Sequence, residues 1–247
     1  MLQRLLAGVQ AVLGEQFVGM YVHGSLATCG FQPGRSDVDF LVVTAGTLPE
    51  EMLRALETMH ARVRDSGLRW ATRLEGSYIP RRALRCYDPA DARHPALRMD
   101  GSFGVDQHDS DWIIQRYLIR EHAIVIAGPS PRALIDPVPA GDLRRAAGRI
   151  LREWWAPQLH DHSRLRSSEY QAYAVLTMCR ALYTLQWGTV GSKEVAARWA
   201  QEALGERWRG LIERASAWRH GMRLDELGEV LALIRYTLER AREVDSG

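Results

Sequence analysis

Apolar residues in the first sixteen positions fall at 2, 5, 6, 9, 12 and 13, the spacing of one helix face. At Phe17 the pattern changes. Phe17–His23 is a short apolar run, which at that length predicts a buried strand. A short helix over 25–30 and a second strand over 38–44 follow. Pro49-Glu50-Glu51, with Thr47 as N-cap, opens a helix over 48–66. Residues 68–79 predict a third strand, 80–108 an irregular stretch and 109–122 a helix. Ala123–Ala127 is an apolar strand stopped by Gly128-Pro129.

The segment Ile135-Asp136-Pro137-Val138-Pro139 then interrupts any helix, because proline removes a donor and restricts its predecessor. Beyond it, 141–156, 168–187, 192–204, 206–219 and 224–243 all carry helical periodicity, with turns at Gly188, Gly205 and Gly221. The pattern predicts an α+β chain: a mixed sheet with helices over residues 1–138, then an all-α helical bundle over 139–247. Of the tryptophans Trp154, Trp155, Trp187, Trp199, Trp208 and Trp218, most read as core of that bundle.

The densest chemistry lies between the first two strands, in His-Gly-Ser-Leu-Ala-Thr-Cys-Gly-Phe-Gln-Pro-Gly-Arg-Ser-Asp-Val-Asp, residues 23–39. Strand side chains alternate, so Asp37 and Asp39 face the same way, with Cα atoms roughly 6.5–7 Å apart. Two carboxylates so placed can share a hard divalent cation. Oxygen donors suit magnesium, which usually also binds substrate phosphate. Gly24 lets the backbone approach a ligand closely. Ser25 is expected to cap a short helix whose free N–H groups favour phosphate. Aspartate is depleted in strands, so a pair of them opening an apolar strand calls for a chemical reason. Glu75, in Leu74-Glu75-Gly76-Ser77 on the next predicted strand, is the candidate general base or third metal ligand. Beside two other carboxylates its pKa is expected to rise.

Composition narrows the setting. The 247 residues carry a net charge of +2. Charge is spread evenly: residues 1–138 hold 15 basic and 16 acidic side chains, residues 139–247 hold 17 and 14. No basic stripe with interleaved aromatics occurs, so no nucleic-acid partner is expected. No apolar run approaches the roughly 18 residues of a membrane span, and the N-terminus lacks a signal peptide's apolar region. Cys29, Cys86 and Cys179 form neither a metal spacing nor an even disulfide set. A reducing cytoplasm is the expected compartment. Of 32 basic residues, 31 are arginine and one is Lys193.

Gly-Ser, a spacer and Asp-x-Asp together resemble the nucleotidyltransferase superfamily that includes DNA polymerase beta. A closer resemblance is carried by Arg120-Glu121-His122 with its following strand and Gly128-Pro129, and by Asp136-Pro137-Val138-Pro139. Val175-Leu176-Thr177-Met178-Cys179-Arg180, with Tyr183 after it, and Lys193-Glu194-Val195-Ala196-Ala197-Arg198-Trp199-Ala200 add to it. These look like the aminoglycoside adenylyltransferases that modify streptomycin and spectinomycin, over roughly residues 15–240. The resemblance implies that Gly24, Ser25, Ser36, Asp37 and Asp39 bind ATP phosphates and Mg2+. It implies Glu75 as catalytic base and, in the helical domain, Arg180 and Lys193 as cations on the phosphates.

The implied activity is magnesium-dependent AMP transfer from ATP to a hydroxyl of a small-molecule acceptor, an aminoglycoside or aminocyclitol, with release of pyrophosphate. The alternatives are the same chemistry on another metabolite or a protein hydroxyl, or a nucleotide-binding regulatory module, which needs no base. One departure concerns the acceptor. Tyr170 stands where streptomycin-modifying members carry an acidic residue, with Glu169 adjacent. The stretch 80–110 offers no counterpart of the family's substrate-contacting tryptophan. Asp106, Asp109, Asp111 and Glu169 are the acidic residues expected to face a cationic sugar.

Overall fold

The computed structural model of the chain describes residues 1–28 and 36–245. Among these, the chain forms two compact units, Met1–Pro137 and Val138–Gly247.

The first unit is a six-stranded mixed sheet with helices on both faces. Its elements run α1 (Leu2–Leu13), β1 (Phe17–Val22), α2 (Gly24–Ala27), β2 (Val38–Thr44), α3 (Glu50–Arg64) and β3 (Leu74–Pro80). Then come α4 (Arg81–Arg85), β4 (Arg93–Leu97), β5 (Phe103–Gln107), α5 (Asp111–His122), β6 (Ile124–Ala127) and α6 (Pro131–Leu134). The strand order is β5-β4-β3-β2-β1-β6. β2 and β3 pair in parallel, with α3 as the crossover between them, and the other neighbours pair antiparallel.

Alternation sorts the strand residues onto two faces. Met20, Val38, Phe40, Val42, Leu74 and Tyr78 share one core with Leu5, Val9 and Leu13 of α1 and Leu56, Met59 and Val63 of α3. Tyr21, Leu41, Val43 and Ile79 share the other with Leu84, Ile119 and Leu134. The two central strands are buried on both sides, hence their near-continuous apolar sequence. They also lie close together: a Cβ on Gly76 would meet the Phe40 carbonyl oxygen at 2.4 Å.

The second unit is all helix: α7 (Ala140–Ile150), α8 (Ser168–Trp187), α9 (Lys193–Ala203), α10 (Glu206–Ala217) and α11 (Leu227–Asp245). α8 is its spine, capped by Ser167 at its start and by left-handed Gly188 at its end.

Several expectations need correction. The third strand is Leu74–Pro80, not 68–79. Its predicted beginning is a tight turn, with Trp70 at φ 74° and a 3-10 turn over Ala71–Arg73. The stretch 80–108 is not irregular, for it contains β4 and β5. Pro95 and Gly104 hid these strands, and pairing with each other and with β3 makes them. Thr47 does not cap α3, which starts at Glu50 after Pro49 with no side-chain cap. α7 ends at Ile150 and passes into a π-turn over Leu151–Trp155. Trp154 and Trp187 are exposed rather than core, unlike Trp155, Trp208 and Trp218. The last two residues of the predicted helix 25–30, with Cys29, lie outside the described residues. Among the described residues, no helix is long and apolar enough to cross a membrane.

His60 on α3 tests the sheet core. Its Nε2 lies 2.7 Å from the Tyr78 hydroxyl, its Nδ1 has no partner, and burial pushes its pKa down to about 4. Between about pH 6.5 and 4 the unfolded chain binds a proton there that the folded chain refuses, so stability falls as pH drops through that window. At about 1.4 kcal/mol per pKa unit the cost approaches roughly 3 kcal/mol. Urea unfolding of wild type and His60→Gln at pH 7.5 and 4.5 is expected to show the smaller acid loss in the variant. Equal losses would refute the assignment.

Candidate active site

Asp39 lies on β2 in register with Glu75 on β3. Both have the strand parity of Leu41, Val43 and Ile79, so they continue that core face beyond its apolar part. Asp37, two residues before Asp39, has the same parity. Asp37 and Asp39 are half-buried, and Glu75 is exposed. Parallel pairing of two central strands thus gathers three carboxylates on one face.

The turn after β1 fits against this group. The His23 N–H donates to the Asp39 carbonyl at 3.0 Å. Gly24 has φ 64°, and a Cβ there would sit 1.9 Å from Asp39 Oδ2. Glycine at this position is therefore required by the backbone conformation and by the carboxylate lying against it. Ser25 does not cap α2 as expected. It is the second residue of that helix, His23 is the N-cap residue, and no side-chain capping bond forms. Ser36 is half-buried immediately before Asp37.

The electrostatics follow from the crowding. Partial desolvation of the carboxyl raises the pKa of Glu75, although the residue as a whole is exposed, and the charges of Asp39, Asp37 and Asp106, in that order, raise it further. Burial also raises the pKa of Asp37, partly offset by the Arg73 guanidinium. Like charges held together favour protonation or a bound cation. The donor set is all oxygen, the kind that hard divalent ions take, and magnesium commonly uses one or two carboxylates with the rest from phosphate and water. In donor chemistry and charge the residues fit that ion. Among the described residues, no three or more His, Cys, Asp or Glu side chains form an arrangement that could hold a metal by themselves.

In the second unit, α8 and the start of α9 bring Arg180 and Lys193 to one aromatic side chain. Lys193 Nζ lies 5.7 Å from the Tyr173 ring centroid. Burial lowers the Arg180 pKa, and the nearby Tyr173 and Glu194 oppose the shift. Arg180 Nε is buried without a hydrogen-bond partner.

The chain is similar to several known proteins. Residues 133–241 match the model of the aminoglycoside adenylyltransferase C-terminal domain. An aminoglycoside (3'')(9) adenylyltransferase of Escherichia coli is 27% identical, covering 92% of this chain and 86% of that protein. A spectinomycin 9-adenylyltransferase of Staphylococcus aureus is also 27% identical, over 92% and 89%. A spectinomycin adenyltransferase from Enterococcus, solved with ATP and spectinomycin, superposes with a TM-score of 0.73. It covers 98% of both chains at 20% identity. The chain is thus similar over nearly its whole length to aminoglycoside adenylyltransferases, and its second unit matches their C-terminal domain. These similarities support a nucleotidyltransferase enzyme.

The residues singled out from sequence fall into two groups. Gly24, Ser25, Ser36, Asp37, Asp39 and Glu75 lie at the same end of β2 and β3 or in the turns around it. Arg180 and Lys193 lie in the second unit, on α8 and at the start of α9. The expected acidic wall is uneven. Asp106 is ion-paired with Arg98, so a cationic substrate would compete with that guanidinium for it. Asp111 opens α5, and burial, then Asp109, raises its pKa to about 6. Glu169 is exposed in the first turn of α8. Sequence reasoning missed Arg73, which acts on Asp37 from the turn before β3. Its only signal was a position two residues before Glu75. It also missed Tyr173, which periodicity alone marks as an ordinary helix residue.

If the three carboxylates share one field, removing one must ease the others. Asp39→Asn is expected to lower the metal-free pKa of Glu75, read by carboxyl-carbon NMR titration. An unchanged Glu75 titration would show that the three do not act on one another.

Proposed function

We propose that this chain transfers AMP from ATP to a hydroxyl of a small acceptor, an aminoglycoside or aminocyclitol, and releases pyrophosphate. The observation that carries the reading is the Asp39–Glu75 register with Asp37 beside it, which gathers three carboxylates on one strand face. The antibiotic class rests on the relatives, named as aminoglycoside (3'')(9) and spectinomycin 9-adenylyltransferases. Free Cys86 and Cys179 support a reducing cytoplasm as the compartment.

Mg2+ would be held by Asp37 and Asp39, with Glu75 as a further donor, and when bound supplies charge neutralisation of the triphosphate. The chain's residues do the rest. Glu75 takes the proton of the acceptor hydroxyl. The hydroxyl oxygen attacks the α-phosphorus in line. The bond to the bridging oxygen breaks, and pyrophosphate carries that electron pair away. Arg180 and Lys193 stabilise the charge growing on it. Ser25 and Ser36 bond phosphate oxygens, and Gly24, lacking a side chain, leaves room for the Asp39 carboxylate.

The test is pyrophosphate release with ATP and Mg2+ across a panel of acceptors including spectinomycin and streptomycin. Acceptor-dependent release is expected. Tight ATP binding without turnover on any acceptor would favour a regulatory module. Glu75→Gln is expected to cut turnover roughly 10²- to 10⁴-fold with a smaller change in ATP affinity. Asp37→Asn and Asp39→Asn are expected to abolish transfer and weaken Mg–ATP binding while the fold persists. Loss of ATP binding in Glu75→Gln as complete as in Asp37→Asn would make Glu75 chiefly a metal ligand. Wild-type turnover in either aspartate variant would end the assignment.

A further inference from the structure

The second unit contains an aromatic cluster that the proposed chemistry has not yet used. The Trp155 ring is almost wholly buried, at 1% exposure. Tyr170 and Tyr173 each lie 6.0 Å from it, centroid to centroid, and 5.5 Å from one another. The Tyr170 hydroxyl is buried and has no hydrogen-bond partner. Tyr173 is the outer ring of the three, 43% exposed. It is also the residue the two cations have in common. Lys193 Nζ lies 5.7 Å from its centroid, within the roughly 6 Å at which an aromatic face attracts an ammonium. Arg180, seven residues on along α8, lies within electrostatic reach of it.

A lysine side chain carries about 2 kcal/mol of rotamer entropy, which binding must otherwise remove. A ring held by two aromatic neighbours, with its face toward the ammonium, reduces that cost before any ligand arrives. We infer that Tyr173, backed by Trp155 and Tyr170, is a positioning residue that holds the Lys193 ammonium in place in the nucleotide-free protein. This rests on the proposed role of the two cations at the triphosphate and assigns Tyr173 no contact with the reacting atoms.

The ring face does the holding, so phenylalanine replaces tyrosine and an aliphatic side chain of similar bulk does not. The experiment measures Lys193 modification by an amine-reactive reagent, read by peptide mass spectrometry to separate it from the Met1 amine. Wild type, Tyr173→Phe, Tyr173→Leu and Tyr173→Met are compared with and without Mg–ATP. ATP affinity is measured in parallel. Tyr173→Phe is expected to match wild type. The leucine and methionine variants are expected to label Lys193 at a changed rate without ATP and to bind ATP roughly two- to fivefold more weakly, the scale of an exposed cation–π contact. Tyr173 is half-exposed, so these variants are expected to fold, and the methionine variant serves if leucine does not.

A labelling rate and ATP affinity equal across all four proteins would overturn the inference. So would a phenylalanine variant as impaired as leucine. Failure of ATP to protect Lys193 in wild type would instead overturn the role of Lys193 at the triphosphate. The positioning of Lys193 would still be decided by the ATP-free labelling rates.

Discussion

The parallel pairing of β2 with β3 is the constraint on which the candidate site depends. It places Asp39 opposite Glu75, and strand alternation then puts Asp37 on the same face. The closeness of the two strands is itself fixed by residue size. Gly76, next to Glu75, has room for no side chain against the Phe40 carbonyl. Everything else adjusts to this pair. α3 makes the crossover that parallel strands need, and Gly24 adopts a left-handed conformation so that the turn lies against the Asp39 carboxylate. The apolar residues of β2 and β3 fill both faces of the sheet, so the carboxylates sit at the end of a rigid core.

Much of this was legible in the sequence because the signals are local. The α+β class followed from a change of period after Pro139, and α8 was legible to the residue, ending at the turn at Gly188. Asp37, Asp39 and Glu75 stood out because charged residues on apolar strands cost stability unless they have a use. What was not legible depends on pairing. β4 and β5 contain a proline and a glycine that local rules penalise, and only their neighbours in the sheet make them strands. The strand before Glu75 was drawn too long, because an apolar residue such as Leu68 looks the same in a turn as in a sheet. Ser25 looked like a helix cap because it follows a glycine, but Gly24 already belongs to the helix.

Lys193 shows the complementary case. As the chain's single lysine it was conspicuous, yet nothing in the sequence said what lies beside it. The structure supplies Tyr173, one ring in a helix rich in aromatic residues, whose companions Trp155 and Tyr170 come from different turns of the second unit. Arg98 on Asp106 is similar. An acidic residue counted toward a cationic sugar turns out to be bonded by an arginine eight positions away. In both, function turns on which charges have neighbours, and neighbours at this range are set by packing rather than by spacing in the chain.

The central claim is that three carboxylates are held together against their mutual repulsion for the sake of a cation and its triphosphate. Thermal unfolding at pH 8 of wild type and Glu75→Gln, without metal and with Mg2+ plus a non-hydrolysable ATP analogue, tests it most directly. A carboxylate with a raised folded pKa destabilises the fold above that pKa. The account therefore predicts that the metal-free glutamine variant melts higher than wild type, and that Mg2+ with nucleotide stabilises wild type more than the variant. A metal-free variant that melts lower than wild type, with the same gain from Mg2+ and nucleotide in both proteins, would contradict it.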